Sequence, residues 1–594
     1  MLYFVFSLVL VLAYVVFNYL AEKPEEKSSW AWIIGFGMMI GGAFHIINYF
    51  SMPTIAYDCW PVYFELLAFG VITVVFTSMR ISEGDAPLDL DNKAIKYAVL
   101  GVLGYVILLG VSALYTWDFL HTQKQRELLV VKDSIDVRKD ANGAVAAFSP
   151  IPNEKMKLHT ADVAMRKILN NMGDLKNTFD VSNLTLQSAT VHANIETVDG
   201  HKARLDFDDK LVYVGILEYK NFWTWNAKKY SPAYVLVDAT TAETYIISKV
   251  NGEELKITYT PEANFSYNLE RHLRSNGYAD IILDDFNIEI DENGRPFAPV
   301  TTMKKVVGMS TPDVTGVAVV DVQTGDIEWY APQDAPSFVN RIYPEWLVYD
   351  RITNWGEYPN GYFHWTNNEG LLQPCAGMDI VQTTKGCCYY VGIQAKTGTF
   401  DTEGYMLVDI RTGVATYYKR DGISEAEAIR VLRTNTYDNI SIQVNDSILR
   451  LTEPVFYNIE GKNTFFATFV ANADLTVKYY AFCSADSKDV VGVGKTLEEA
   501  RTNYLNSYYK SFGSKDVKFA EKQMLTTVEV QVLEKSVVDN VFYFRFKGYE
   551  DKVFKTTLSD EMSDVLWEPT KKVKISFSKT DSKFVELKSY ELLR

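Results

Sequence analysis

The chain is 594 residues long, 47% hydrophobic and 14% aromatic, with a formal net charge of -16. That length accommodates several domains, and the acidic balance argues against a nucleic-acid ligand for the chain as a whole. The first 118 residues are far more apolar than the rest, so these averages combine two different materials.

Four apolar stretches lie in that first block, at residues 2–20, 30–50, 61–79 and 97–117. Each has the roughly 20 residues needed to cross a hydrocarbon core as a helix. The first is read as an anchor and not a signal peptide: no Lys or Arg precedes it, and residues 18–22 offer no small-x-small cleavage site. Lys23 and Lys27 follow the first stretch, and Arg80, Lys93 and Lys96 follow the third, whereas residues 51–60 carry no basic group. Both basic loops lie on one side, which the positive-inside rule assigns to the cytoplasm. The N-terminus, residues 51–60 and residues 118–594 are then expected to face outward from a cell or inner membrane.

His45 and Glu65 fall at similar depth on neighbouring stretches and can pair across the hairpin. The pair reads as a proton-coupled or ligand site, or as a shallow hydrogen bond joining two helices. Gly37 and Gly41 make a GxxxG spacing that permits close helix contact, within the chain or in a homo-oligomer.

Residues 119–159 read as a juxtamembrane linker, punctuated by Asn142-Gly143 and two prolines. Thr160 then opens a helix with Val163, Ile168, Leu169 and Met172 on its apolar face, and strand alternation follows over 184–197, 203–207 and 211–217. From there one pattern recurs. Asp409 is followed by Thr412, Gly413 and Tyr417, Asp321 by Thr324, Gly325 and Trp329, and Asp238 by Thr241, Ala242 and Tyr245. Separations of 83 and 88 residues make this a domain-sized repeat. Each copy reads as a hairpin with a three-residue loop, Gly325 and Gly413 supplying the left-handed position. Ala242 carries a Cβ there, which implies a turn of another type. The three carboxylates occupy equivalent places in separate units and are expected to accept their own turns' N–H groups, not to assemble a metal or catalytic site. A helical pattern follows each hairpin, at 264–275, 335–355 and 423–433, and a divergent fourth unit spans 477–493 with a capped helix after Thr496.

The strand–Asp–x–x–Thr–Gly–strand pattern beside a helix resembles the PepSY-type repeat, a small antiparallel sheet packed on a helix. The resemblance covers separated pieces of 184–513 and implies a domain outside the membrane that binds or restrains other proteins, often peptidases. The layout of four membrane helices followed by such repeats is similar to that of large bacterial and phage membrane proteins. The last segment, 522–594, alternates like five strands with a helix at 559–565 after the third, and resembles the OB-fold barrel. Its Tyr543, Phe544 and Phe546 suggest a stacking platform, although alternation must send some of them into the core.

Of the five cysteines, Cys375 is within reach of a disulfide to Cys387 or Cys388 in an oxidising compartment, the alternative being buried free thiols. No metal-ligand spacing, nucleophile elbow, phosphate loop or dinucleotide fingerprint occurs, and no cofactor is expected. One cluster, residues 346–365, gathers Asp350, Arg351, Trp355, Glu357, Tyr358, Tyr362, His364 and Trp365. Aromatics beside carboxylates suit a sugar or peptide site, with Asp350, Glu357 and His364 as catalytic candidates, or simply anchor a loop.

The expected architecture is a four-helix membrane block (1–118), a linker (119–159), an α+β region of PepSY-like repeats (160–515) and an OB-like barrel (522–594). The expected role is an envelope scaffold touching lipid and other envelope proteins without catalysis. The alternatives are an envelope enzyme using the 346–365 cluster and a small-solute transporter using His45 and Glu65. Labelling of intact cells from outside should modify a cysteine introduced at Asn142 and miss one introduced at Ser82; the reverse would put residues 118–594 in the cytosol.

Overall fold

The computed structural model describes residues 2–24, 27–82, 88, 90–117, 120–136, 156–182, 184–359, 361, 370–375, 377–383, 386–396, 401–434, 448–512, 525–538, 541–557, 572–578 and 583–592. Asn142, Tyr362, His364, Trp365 and the helix expected at 559–565 lie outside the described residues. The chain forms two compact units, one of Met1–Lys478 with Ala485–Ser487 and one of Tyr479–Ser484 with Lys488–Arg594.

The first unit opens with four helices long and apolar enough to cross a membrane: α1 (Leu2–Ala21), α2 (Lys27–Ser51), α3 (Trp60–Ile81) and α4 (Lys93–Tyr115). Gly37 and Gly41 face α1, where an added Cβ would lie 3.1 Å from Tyr14 and 2.3 Å from Val11 respectively. The GxxxG spacing is therefore used inside the chain, and an oligomer through it would have to displace α1. A β-rich region stands on the ends of α2 and α4. Ile55 N–H donates to the Ala279 carbonyl at 2.9 Å, and Gly308 leaves room for Thr116, whose side chain an added Cβ would meet at 2.9 Å.

This region is built around one antiparallel sheet, in the order Phe179–Val181, Lys202–Tyr219, Thr185–Thr197, Thr244–Val250, Tyr234–Asp238, with a further pairing of Lys202–Tyr219 to Tyr234–Asp238. Residues 211–218 are buried without interruption. Alternation divides them. Leu211, Tyr213 and Leu217, with Val235 and Val237, enter a core shared with Tyr389, Val391, Met406 and Val408. Val212, Val214 and Ile216, with Tyr234 and Leu236, enter a second core shared with Ala298, Val300, Ala318 and Val320. The first sheet is thus covered on both faces, as an unbroken apolar run requires.

The sheet on one side is ordered Ile327–Tyr330, Thr311–Asp321, Pro296–Val307, Ile282–Asp284. The sheet on the other is ordered Val131–Asp136, Ala415–Ile423, Asp401–Asp409, Gly386–Ala395, Leu372–Pro374. Its edge strand Val131–Asp136, parallel to Ala415–Ile423, comes from the segment expected to be a linker, as does the helix Thr122–Glu127. Lys132, Asp133, Ser134 and Asp136 give that strand no apolar alternation, because an edge strand of this kind gains its place from backbone pairing.

The three Asp-centred hairpins share one turn. Asp409 N–H donates to the Val414 carbonyl (3.0 Å) and Gly413 N–H to the Asp409 carbonyl (2.9 Å), while Asp409 Oδ1 accepts from the N–H groups of Arg411 and Thr412 (both 2.9 Å). Asp321 and Asp238 repeat every one of these bonds within their own turns. The loop between the closing residues thus holds four residues, not three, because the carboxylate gathers two N–H groups that a tighter loop would not present. The Thr completes the device: Thr412, Thr324 and Thr241 hydroxyls accept from the N–H two residues on. Ala242 also differs from expectation. Its turn is the same, with φ +59° against +82° at Gly325 and +68° at Gly413. A fourth copy lies at Ala471–Thr476, where Leu475 takes the left-handed place at φ +51° and Asp474 replaces the Thr as acceptor.

In the second unit, Tyr480, Ala481, Phe482 and Cys483 pair with Val491–Gly494, and helix Leu497–Phe512 lies directly on the latter. Gly492 and Gly494 permit it: an added Cβ would meet the Tyr504 N at 2.0 Å and the Ala500 N at 2.4 Å. The C-terminal strands close a barrel ordered Leu525–Val538, Val541–Phe546, Val553–Thr557, Phe584–Leu592, Lys572–Ser578. Phe544 and Phe546 point into its core and Tyr543 does not, so the three do not form one stacking surface.

The turn geometry ranks substitutions. Gly413→Val and Gly325→Val should each destabilise by at least about 2 kcal/mol, since the new Cβ would also meet the Tyr343 and Tyr259 rings at 2.5 Å. Ala242→Gly and Leu475→Gly should stabilise, by up to about 1 kcal/mol. Asp409→Asn should be mild, and Asp238→Asn larger, because Asp238 is buried against Lys210 Nζ at 2.5 Å. Thermal unfolding of the purified full chain checks the order.

Candidate functional site

The first unit holds a polar cavity of about 710 Å³ where the central sheet, the Asp401–Asp409 sheet and the segment 450–453 converge. Its basic lining is Lys157, Arg341, Arg433 and Arg450, and its acidic lining is Asp162, Glu345, Asp379 and Glu453. The groups come from several elements, one or two from each. Lys157 precedes helix Ala161–Asn171, whose first turn contributes Asp162. Glu345 opens helix Glu345–Glu357, which starts where Pro344 fixes its N-cap. Arg433 stands in the last turn of helix Glu425–Thr434, started by Ser424 Oγ accepting from Glu427 N–H at 3.2 Å.

Four of these eight charged groups pair with one another. Lys157 Nζ lies 2.8 Å from Asp379 Oδ1, and Arg450 Nη1 lies 3.3 Å from Asp162 Oδ2. Burial works to lower the Lys157 pKa, but Asp379 and the nearby tyrosines more than offset it and keep the ammonium charged. Arg341 Nη2 donates to Asp285 Oδ1 at 2.9 Å, and the buried Glu289 accepts from Asn340 N–H at 2.7 Å and Arg341 N–H at 3.3 Å. Glu289 thereby holds the backbone that presents Arg341; burial pushes its pKa up to about 7, with the two N–H groups opposing. Burial also raises Glu345. Such an arrangement offers fixed, neutralised charges of both signs to a polar ligand.

Within the described part of the 346–365 cluster, the side chains turn to separate surroundings. Asp350 lines a second cavity of about 500 Å³ with Asp284, Asp285, Trp346 and Tyr349. Glu357 stands two helical turns away, paired to Lys396 at 2.8 Å. Arg351 is buried in an ion pair with Asp313, and Trp355 packs edge-on to Tyr417 with ring centroids 5.1 Å apart. The helix thus anchors to the repeat core. His45 and Glu65 do not bond each other either. Asn48 Nδ2 donates to Glu65 at 2.9 Å, and His45 meets the Phe4 ring edge-on at 6.1 Å.

None of the five cysteines is in a disulfide. The expected disulfide is not formed, for a geometric reason. Cys375 N–H bonds the Gly392 carbonyl, five residues along the strand from Cys387, a separation of about 16 Å against the ~7 Å limit between Cα atoms. Burial first, then Glu425, pushes the Cys375 thiol up, and burial does the same to Cys387, so neither is poised as a nucleophile. Among the described residues, no group of three or more His, Cys, Asp or Glu is placed to hold a metal ion. Sequence reasoning missed Lys157, Arg341, Arg433 and Arg450, which are spread over nearly 300 positions and share no local pattern.

Glu218 provides a test of buried charge. It ends the doubly covered strand, and burial raises its carboxyl to about 8, reinforced by Glu262 and opposed by Thr260. Since the folded pKa lies above the unfolded one, the group costs nothing while protonated, and the folded state loses stability as pH rises from the ordinary carboxyl range to about 8. Glu218→Gln should raise the melting temperature of the full chain more near pH ~9 than near pH ~5; an equal shift at both would contradict a raised pKa.

Compared with known proteins, the chain matches no family model and no curated protein. Among solved structures, it is similar over 23% of its length, and 85% of the other chain, to one described as "Structural mimicry for functional antagonism", at 17% identity and a TM-score of 0.09. It is similar over 24% of its length, and 85% of the other chain, to "p202 HIN1 in complex with 12-mer dsDNA", at 21% identity and a TM-score of 0.09. A Synechocystis apocarotenoid oxygenase mutant gives 12% identity over 54% of this chain and 63% of that one, with a TM-score of 0.12. Likenesses of this size carry no argument about fold or function.

Proposed function

We propose that this chain is a membrane-anchored binding scaffold whose β-rich region holds a partner by contact. The observation that carries this reading is the cavity of about 710 Å³ lined by four basic and four acidic groups, two of which make the 2.8 Å Lys157–Asp379 pair. Fixed charges of both signs suit an extended polypeptide segment that presents alternating charge, whose own side chains exchange with the weaker pairs such as Arg450–Asp162. Three hairpins built on one Asp-centred turn support a PepSY-like reading of the β-rich region, in which partner binding is the expected role. The barrel order, with Val553–Thr557 parallel to Phe584–Leu592, supports an OB-like reading of residues 525–592. The Lys and Arg loop counts favour an extracytoplasmic location in a cell envelope.

The rival readings have less support. An enzyme built on Asp350, Glu357 and His364 needs groups that converge, whereas Asp350 lines a cavity and Glu357, two helical turns on, pairs with Lys396. Transport through the helices needs a polar path, whereas the cavity of about 350 Å³ between α1, α3 and α4 is lined almost wholly by apolar residues.

The full chain in nanodiscs should bind mixed-charge peptides from a screened library, and Arg433→Ala with Arg450→Ala should weaken that binding about tenfold or more with an unchanged melting temperature. Hydrolysis of a peptide or wall polymer by the purified protein, lost in Asp350→Asn, would overturn the scaffold reading in favour of an enzyme.

A further inference from the structure

A surface not used by the binding cavity lies beside the end of α2. The seven-residue helix Phe222–Lys228 begins where Asn221 Oδ1 accepts from Trp223 N–H at 2.8 Å. Trp225 is its buried residue, packed on Phe265 and Tyr267. Three aromatic side chains remain outside: Phe222 is 38% exposed, Phe265 47% and Trp223 75%. Phe222 meets Trp223 and Phe265 edge-on, with centroids 5.2 and 5.9 Å away, so the three form one continuous surface. Phe265 holds φ +54°, a left-handed backbone that a bulky side chain disfavours. Lys220, Lys228 and Lys229 flank the helix in sequence and are exposed, Lys220 pairing with Asp180 at 3.1 Å and Lys229 lying over the Tyr267 ring at 5.8 Å.

Arg271 fixes where this surface sits. Its Nη1 donates to the Phe265 carbonyl at 2.8 Å and its Nε to the Tyr49 carbonyl at 3.0 Å, and its guanidinium lies 4.6 Å over the Tyr49 ring. Tyr49 belongs to the last turn of α2, which ends at Ser51. One guanidinium therefore separates the Phe265 backbone from the end of a membrane-length helix. Water-exposed aromatic surface of this kind is unfavourable beside bulk solvent and favourable at headgroup depth, where Trp and Phe rings meet both media and lysines meet anionic lipid.

We propose that Phe222, Trp223 and Phe265 form a membrane-interface anchor, seated in the headgroup layer of the bilayer that α1–α4 cross. The occupant of this surface is lipid. The anchor rests on the reading that those helices span a bilayer, and it holds on either side of the membrane. It gives the β-rich region a lateral foot beyond the ends of α2 and α4 and so limits its tilt.

The test uses the full chain in liposomes of zwitterionic and anionic phospholipid, with Cys388→Ser removing the native thiol that is not buried. An environment-sensitive fluorophore is attached at Trp223→Cys, at Leu108→Cys in α4, or at Asp474→Cys in a polar turn. Lipids carrying a nitroxide near the head of the acyl chain should quench the Trp223 and Leu108 labels by about twofold or more and leave Asp474 unchanged. Aqueous iodide should quench only Asp474. A Leu108 label quenched by lipid beside a Trp223 label quenched by iodide would overturn the anchor alone. A Trp223 label shielded from both quenchers would overturn it in favour of a protein cover, a second copy or a partner. A Leu108 label that lipid does not quench would remove the membrane reading and the anchor with it. A label at Phe222→Cys should repeat the Trp223 result.

Discussion

The β-rich region depends on the two-sided burial of its central sheet. Residues 211–218 contribute alternate side chains to two separate cores, and Tyr234–Asp238 does the same beside them. A slip of one residue in either strand would exchange the two sets of side chains and spoil both cores together. Register is therefore held from two directions, and the two flanking sheets are each positioned by the same few residues. At about 25 cal/mol per Å² of apolar surface, removing one of these side chains costs one core directly and loosens the backbone that serves the other.

The Asp-centred turns solve a related problem at the sheet edges. A hairpin loop leaves N–H groups without ladder partners, and a single carboxylate next to the closing pair accepts two of them. That arrangement brings the chain back through one left-handed residue. Glycine is needed there for two reasons in Gly325 and Gly413, backbone conformation and the tyrosine ring lying against it. Ala242 and Leu475 meet only the first, and the turn survives with a strained residue because the hydrogen bonds around it are retained.

The polar groups divide into those that fix structure and those that face a cavity. Arg351 with Asp313 and Glu289 with the Arg341 backbone are buried and hold loops in place. Lys157, Arg450 and their partners line open volume, where a ligand's charges can compete for them. At the other extreme of polarity, the exposed rings of Phe222, Trp223 and Phe265 stand one arginine from the end of α2. The charged cavity and the exposed aromatic group thus belong to different parts of the same unit.

Much of the architecture was legible in the residues themselves. Four apolar stretches, the recurring Asp and Thr positions and the five alternating C-terminal segments each announce an element, because burial imposes a period that a local window can detect. The capped helices at Ser424 and Thr496 are readable for the same local reason. What the sequence could not decide depended on partners distant along the chain. The strand Val131–Asp136 has no alternation and is made a strand by Ala415–Ile423, nearly 300 residues later. Glu65 bonds Asn48 and not His45, since side-chain direction around α2 selects the partner at a given depth. Cys375 and Cys387 are close in sequence yet are carried apart by strand register. The cavity collects one or two charges from each of several elements, so it exists only once those elements are packed, and no spacing between Lys157 and Arg450 could have foretold it.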